Sequence, residues 1–568
     1  MILNKLQEKA VFEIKGNTLV TASPGSGKTR TLVARAMYKL EDLPKFKTIA
    51  LITYTNAAAD EISSRLINQN NVFIGTIHRF CLEFILRPYG WIYKWYKPRI
   101  ISYEEKEVFF ENNLDIELEK NFGQNKFDEI DKIKKDIEGN LDMSVDWNHE
   151  ISIIEVARRY SEYQESIKVI DFNEILFRSH KIISENEFIL KSLASTFYEI
   201  LVDEFQDTNL FQYEILKKTH NNGTCTFFMV GDKRQQIFSF AGAIENSFGK
   251  AKVDFSAEPV ELDKAYRSSA KIVSTYTKLF DEHPVIDNSS SENNELDLPV
   301  KFIQTKKANY EEIVKEVMEH LVDKCKVELK EISILSTSWY SAFNVSTILR
   351  NEYNIVGLGA LPHKYISNNS TFSLLKSLAG YYHDQNSRAL RKVKRNIELH
   401  YLENDLSFSD KASYYKTNEL ISYTLENDIE KPITQGLEDF SRLFDKLFGI
   451  RHSTFTEIIE LIKDGEKSIW NIGQYMQTLS GLNGITNNTI HKVKGLEYDI
   501  VILNEMNEHK IPHQKYLGKD GNDYVYEDLT EEGIEEGRKL FYVAVSRAKK
   551  YLIILHNYYP SMFIDIIN

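Results

Sequence analysis

The sequence predicts an α/β fold made of two parallel-sheet domains, each interrupted by a mainly helical insertion. Three observations carry this expectation. Short apolar runs alternate with longer amphipathic stretches towards both ends of the chain, two long segments of mixed charge with helically spaced apolar residues interrupt those runs, and the composition is globular. Among 568 residues, 42% are hydrophobic and 27% charged, with 11 prolines and 25 glycines. Collagen-like, mucin-like and largely disordered organisations are thereby excluded. Cys81, Cys225 and Cys325 are too dispersed for a CxxC metal knuckle and too few for a disulfide framework. No apolar run is long enough to span a bilayer, and the polar start Met1 to Val11 does not read as a signal peptide, so a cytoplasmic protein with no membrane partner is expected. The 70 basic and 83 acidic residues give a net charge of −13, which excludes a bulk basic coat for nucleic acid. Any such site must be local.

In chain order, the first sheet domain is expected over residues 1–87 and 196–262, with strands at Thr18 to Ala22, Thr48 to Thr53, Val72 to Thr76, Glu199 to Glu204 and Thr226 to Asp232. Its insert, 88–195, is dominated by Lys, Glu and Asp with apolar residues at helical spacing, as in Phe127 to Ile137. The second sheet domain takes 263–380 and 482–568, with strands at Val300 to Thr305, Ile332 to Ser336, Thr489 to Lys492, Asp499 to Asn504 and Tyr551 to Leu555. Its own helical insert spans 381–481. The polar stretch Asp287 to Asn294 reads as an exposed loop.

The first strand runs into Ala22, Ser23, Pro24, Gly25, Ser26, Gly27, Lys28 and Thr29, followed by the helical stretch Arg30 to Leu40. Strand, glycine-bearing loop, Gly-Lys-Thr and helix, in that order, form a phosphate-binding loop. Gly25 and Gly27 turn backbone N–H groups toward phosphates, the helix N-terminus adds positive potential, Lys28 reaches the β/γ oxygens and Thr29 ligates Mg²⁺. The expected ligands are ATP and Mg²⁺. The run Tyr198 to Val202 ends in Asp203-Glu204-Phe205-Gln206-Asp207, where open α/β sheets bind ligands. Alone, an Asp-Glu pair is more often a solvated turn. Beside a phosphate loop, Asp203 suits Mg²⁺ and Glu204 suits orienting or deprotonating the attacking water. The third strand leads into Val230 to Ala243, which offers Gln235 as a γ-phosphate sensor and Phe238 and Phe240 as stacking groups for bases. Two core phenylalanines would have the same spacing.

In order, these motifs resemble the superfamily 1 DNA helicases of the UvrD/Rep/PcrA type across nearly the whole chain. The resemblance implies two RecA-like domains of the P-loop NTPase class. It makes Gln7 an adenine reader, Arg30 a nucleotide neighbour, and Ile52 to Ala59 and Gly75 to His78 a single-strand track on which Tyr54, Thr76 and His78 contact DNA. Leu262 to Ser268 resembles motif IV, implying Tyr266 against adenine and Arg267 against the γ-phosphate. Thr489 to Glu497 resembles motif V, with His491 near DNA and Glu497 near the ribose, and Tyr542 to Ala548 resembles motif VI, with Arg547 its arginine. Lys28 and Asp203 on one domain and Arg267 and Arg547 on the other complete a site only when the cleft closes. The implied activity is ATP-driven movement on single-stranded or tailed duplex DNA, with 3′ to 5′ polarity.

Three departures stand out. Phe240-Ala-Gly-Ala243 replaces the family's Trp-Arg-Gly-Ala, the second insert is short, and Leu552 to Leu555 is followed almost at once by His556 to Phe563, leaving scarcely room there for a duplex-splitting hairpin. Tyr558 or Tyr559 would supply at most a blunt substitute. This compact, acidic build resembles the helicases that partner a nuclease in antiphage systems such as Gabija. Besides a motor in repair, recombination or defence, the sequence is compatible with a nucleotide-gated DNA-binding ATPase that regulates a nuclease without processive unwinding.

Overall fold

The computed structural model describes residues 2–568 apart from 67–70, 96–98, 114–129, 143–149, 239–241, 282–285, 290, 292, 295, 297–298, 306–309, 350–351, 358–368, 404–409, 450–451, 464–469, 482–483 and 521–522. The strands in chain order are β1 (Thr18–Ala22), β2 (Thr48–Thr53), β3 (Val72–Thr76), the short β4 (Arg99–Ile100) and β5 (Val169–Ile170), β6 (Phe197–Val202), β7 (Thr226–Gly231) and β8 (Glu258–Leu262). They continue with β9 (Val300–Gln304), β10 (Ile332–Ser336), β11 (Ile355–Gly357), β12 (Ile485–Thr489), β13 (Tyr498–Asn504), β14 (Tyr516–Asp520), β15 (Asp523–Tyr526) and β16 (Ala548–His556). Two six-stranded sheets result, ordered β3-β2-β6-β7-β1-β8 and β11-β12-β10-β13-β16-β9. Every neighbouring pair in both is parallel. This is the two-domain α/β architecture the sequence predicts.

The strands read as continuous apolar runs because helices cover both faces. Leu19 and Ile52 face one layer with Phe197, Phe205 and Phe227, while Val20 and Ala22 face the other with Leu32, Val33 and Phe228. Helix Lys28–Glu41 is clamped onto the sheet by Arg35, wholly buried, whose Nη2 lies 2.8 Å from Glu199 Oε1 of β6. Its Nη1 donates to the carbonyls of Val11 and Ile14 at 2.8 and 2.9 Å. The N-terminal turn is thereby held beside the phosphate loop.

In the first insert, helices Tyr103–Asn113, Glu150–Ser166, Phe172–Glu185 and Glu187–Thr196 surround the small β4–β5 pair, and Phe109, Phe110 and Tyr160 fill a separate core. The second insert is wholly helical among the described residues: Ser370–His383, Ser387–Glu403, Asp410–Glu426, Ile433–Phe448, Ser453–Lys463 and Ile472–Ser480. It starts earlier than residue 381, because Leu374, Leu375 and Leu378 of its first helix belong to the bundle core with Val393, Phe440 and Met476.

Several local expectations are corrected. The described part of Phe127 to Ile137 leaves the helix after Ile130, because Lys135 bridges Leu141 around Gly139 at φ +96°. Thr489 to Lys492 is a strand only at Thr489. Ile490–Val493 is a 3₁₀ turn whose Ile490 and Val493 are buried. Strand β8 went unread because it is an edge strand, with Glu258, Pro259 and Glu261 exposed and only Val260 and Leu262 buried. The Asp287 to Asn294 loop is tied down: Asn294 Oδ1 accepts from Ala270 N at 3.0 Å and Asn293 Nδ2 donates to Arg267 O at 2.8 Å. A β-hairpin, β14–β15, precedes the motif VI helix Glu531–Val545, whereas the sequence reading looked for a hairpin only after it.

Candidate active site

The phosphate loop leaves β1 at Ala22 and enters helix Lys28–Glu41 through Gly27, which is left-handed at φ +87°. Gly25 is also left-handed, at φ +74°, and a side chain there would meet Arg267 Cβ at 2.7 Å, while one at Gly27 would meet Gln7 Nε2 at 2.7 Å. Both positions therefore require glycine for backbone freedom and for close approach. Ser26 Oγ donates to Ser23 O at 2.7 Å and closes the loop from within.

Gln7 and Tyr266 both reach this loop, each bonding to one of its carbonyls. Asn4 and Gln7 form a reciprocal capping box, which aims Gln7 Nε2 at Ser26 O, 3.1 Å away. Asn4 Nδ2 donates to Tyr266 Oη at 2.8 Å, the Arg30 guanidinium lies 5.6 Å from the Tyr266 ring centre, and Tyr266 N donates to Gly25 O at 2.9 Å. Tyr276 Oη adds a longer bond to Pro24 O, 3.4 Å. The segment after β8 is thus stitched to the loop on one side and to β16 on the other, where Ser268 Oγ donates to Ala548 O at 2.6 Å.

Asp203 and Glu204 stand at the end of β6, and Glu204 turns the chain with a left-handed φ of +51°. Asp203 Oδ1 is buried and lacks a hydrogen-bond partner, an orphan oxygen that suits a hard cation such as Mg²⁺. Burial and the Glu204 carboxylate push Asp203 upward, with Lys28 opposing. Glu204 is pushed upward by burial too, but Lys28 and Lys494 outweigh that and hold it below the ordinary range. The adjacent carboxylates are therefore driven apart in acidity, and Lys28 acts on both.

Gln235 joins the two lobes. Its Nε2 donates to Asp232 Oδ2 at 3.1 Å, and its Oε1 accepts from Arg547 Nη2 at 3.2 Å. Arg547 is 2% exposed and is fixed by bonds to Val543 O (3.0 Å) and Leu496 O (3.1 Å). Burial, then the positive charge of Arg267, lowers it to about 10. Arg267 Nε is paired with Glu497, so those two predicted residues meet each other beside Gly25.

Tyr54 stacks on Phe238 with ring centres 4.8 Å apart, and His491 approaches the same ring at 6.3 Å. Residues from three predicted DNA-facing motifs thus converge. Thr76 instead caps helix Ile77–Cys81, accepting from Arg79 N at 3.4 Å, and His78 packs edge-on against Phe172 of the first insert. Burial lowers His78 to about 4, so it is neutral near pH 7. Phe240 lies outside the described residues.

Sequence reasoning missed a second bridge between the lobes. Lys494 Nζ lies 2.5 Å from Asp207 Oδ2, also donates to Gln235 O, and sits 5.1 Å from the Phe238 ring centre. Tyr542 Oη adds a bond to Asp232 Oδ2, 3.2 Å. Asp207 and Lys494 both lie inside quoted motifs, but each has other charged or polar neighbours there, Asp203, Glu204 and Gln206 in one and His491 and Lys492 in the other, so no sequence signal singles them out.

Comparison with known proteins agrees with this geometry. The UvrD/REP helicase N-terminal domain model matches residues 3–256 and the UvrD-like helicase C-terminal domain model matches 376–559. Relatives include DNA helicase II of Rickettsia typhi, 25% identical over 100% of this chain and 94% of its own length. The ATP-dependent DNA helicase PcrA of Staphylococcus epidermidis is 24% identical over 97% of this chain and 83% of its own, and the ATP-dependent DNA helicase Rep of Buchnera aphidicola is 24% identical over 97% and 93%. With the phosphate loop, the paired carboxylates and the arginine-bearing second lobe in one cleft, and both halves of one family's pattern matched in order, the chain belongs to the UvrD/REP helicase family.

Proposed function

We propose that this family member, an ATP-hydrolysing DNA helicase, moves 3′ to 5′ along single-stranded DNA by opening and closing the cleft between its lobes. The observation that carries this reading is the Gln235–Arg547 bond across the cleft, set between the paired carboxylates and the DNA-facing rings. Ala22 to Gly27 cradle the triphosphate, Lys28 binds its terminal oxygens, and Gln7, Arg30 and Tyr266 hold the base. Asp203 and Thr29 would hold Mg²⁺, which would supply charge neutralisation on the phosphates. Glu204, the more acidic of the carboxylates, stays ionised and accepts a proton from the attacking water. Arg267 and Arg547 stabilise charge on the transferred group from the second lobe, a role worth about 10³ to 10⁵ in rate in other nucleotide hydrolases. Arg267 must leave Glu497 to do so, freeing that carboxylate for the ribose. Loss of the γ-phosphate removes the anion the arginines share, and the lobes part, shifting Tyr54, Phe240 and His491 along the strand.

The test is hydrolysis measured with single-stranded DNA, duplex DNA and RNA, alongside strand displacement from 3′- and 5′-tailed duplexes. Stimulation by single-stranded DNA and displacement from the 3′-tailed duplex, both abolished by Lys28→Ala, are expected. DNA-indifferent hydrolysis, or displacement confined to the 5′-tailed duplex, would overturn the reading, while DNA binding with negligible displacement would identify a nucleotide-gated switch. For the cellular role we propose service in DNA repair or recombination, or in antiphage defence beside a separate nuclease, the latter on the resemblance of the compact, acidic build to nuclease-partnered helicases. Co-purification of a nuclease with the tagged chain tests the defence role, and a tagged chain recovered without one counts against it.

A further inference from the structure

Helix Ser387–Glu403 of the second insert carries Arg388, Arg391, Lys392, Lys394 and Arg395 before its first carboxylate, Glu398. Its opposite face, with Ala389, Val393 and Ile397, is buried, so these cations share the face directed away from the bundle. In a chain of net charge −13, this concentration of one sign stands apart.

That helix lies against helix Asn56–Arg65 of the first lobe, and together they border a cleft of about 420 Å³. Arg79, Arg391, Lys394 and Arg395 supply its positive charge, Asp60 and Glu398 its negative charge, and Tyr414 stands on its wall. Both carboxylates are paired, Asp60 through Oδ1 with Arg395 at 2.7 Å and Glu398 with Arg87 at 3.3 Å, although Asp60 Oδ2 is buried without a hydrogen-bond partner among the described residues. Arg79 shares an exposed pair with Glu83 at 3.4 Å. Arg391 is different, for its Nε and Nη2 are buried and have no hydrogen-bond partner among the described residues. A guanidinium left so is costly unless an anion arrives. The positive charge also continues toward the second lobe. Lys376 is held below the ordinary lysine value by the protein packed around it and then by Lys392 and Lys492, and Lys492 belongs to the turn after β12.

The cleft floor is the helix that follows β2 together with Gly75 at the end of β3, the elements on which the family resemblance runs the DNA strand. We propose that this cleft binds a backbone phosphate of the DNA strand, with Arg391 and Arg79 as donors, Lys394 as a nearby charge and Tyr414, 64% exposed, as a platform for the adjoining base. The second insert then extends the strand-binding surface beyond the two sheet domains. This rests on the DNA-motor reading above.

The test titrates a single-stranded oligonucleotide against the full-length protein at several salt concentrations, recording affinity and the DNA concentration that half-stimulates hydrolysis. For R391A/K394A the slope of log affinity against log salt should become shallower by about 1, because neutralisation of one backbone phosphate is lost. The half-stimulating concentration should rise about tenfold, an order-of-magnitude expectation for losing two charge contacts, while the maximal rate is retained. R391Q, which keeps the side chain polar and close in length, should shift both measures the same way by less, and it carries the test if the double variant melts early. The exposed pair K324A/K330A removes equal charge elsewhere and should leave both unchanged. Wild-type slope and half-stimulation in R391A/K394A, or an equal shift in K324A/K330A, would overturn the cleft while leaving the motor reading intact. Wild-type hydrolysis and binding indifferent to DNA would overturn the motor reading and the cleft with it.

Discussion

Asp207 and Lys494 are 0% and 6% exposed along their side chains, so each depends on the other for compensation. Replacing Lys494 by alanine leaves a buried carboxylate unpaired and should destabilise the protein by about 3–5 kcal/mol in urea unfolding. The apolar-for-charged exchange K494M combined with D207N should recover most of that loss. Asp207 also gives the unliganded protein a pH dependence. Burial raises it to about 7, with Lys494 opposing and Glu204 adding to the rise. A folded value above the unfolded one means that protonation favours the native state, so this group's stabilisation is full below about pH 4 and is lost as pH rises through about 7. The melting temperature should therefore carry a falling component between pH 4 and 7 that D207N removes, and an unchanged D207N profile would refute the assignment. At this scale the phosphate loop was legible because its residues are consecutive and each has one stereochemical job. The Lys494–Asp207 pair was not, because its members are 287 positions apart and nothing local marks them as partners.

Among the elements, the second insert contains a relay whose two histidines are buried and whose Asp445 end is partly exposed. Asp445 Oδ1 lies 2.8 Å from His452 Nδ1, His452 Nε2 lies 3.0 Å from His400 Nε2, and His400 Nδ1 lies 3.0 Å from Ser370 Oγ. Burial, then His452 and Lys416, lowers His400 to about 3. A histidine depressed on folding contributes stability that is full above about 6.5 and is lost as pH falls toward 3. Hydrogen exchange in helices Ser370–His383 and Ile433–Phe448 should accelerate more between pH 6.5 and 5, after correction for intrinsic rates, than in β6 and β7. H400Q should reduce that difference, and equal acceleration in both regions would refute the relay. Strands such as β2 and β7 were readable because burial on both faces writes an uninterrupted apolar run. β8, exposed at a sheet edge, and the turn Ile490–Val493, whose apolar residues are buried without a strand, carry no such signature.

For the whole molecule, function depends on groups that no single lobe owns. Arg547 reaches the first lobe through its bond to Gln235 and its attraction to the Glu204 carboxylate, so R547A should lower the DNA-stimulated kcat by about 10³ while leaving nucleotide affinity, set largely by the first lobe's loop, within a few fold. An equal loss of affinity would mean that Arg547 grips the ground state instead. The two-lobe plan was legible in the repeated alternation of strand and helix and in the order of the motifs. The way the lobes are fastened was not, because periodicity reports burial and not which partner does the burying.

The Tyr54–Phe238 stack occupies with two side chains the place where the proposed function puts a nucleobase. With the rings facing each other at 4.8 Å, the apolar faces that would otherwise sit wet and adhesive are already satisfied. A base stacking there, as proposed above, would have to trade places with a side chain and not merely settle into an open slot. Under the strand-binding reading proposed above, the net gain from stacking a base there is the difference between two similar stacks, a modest quantity.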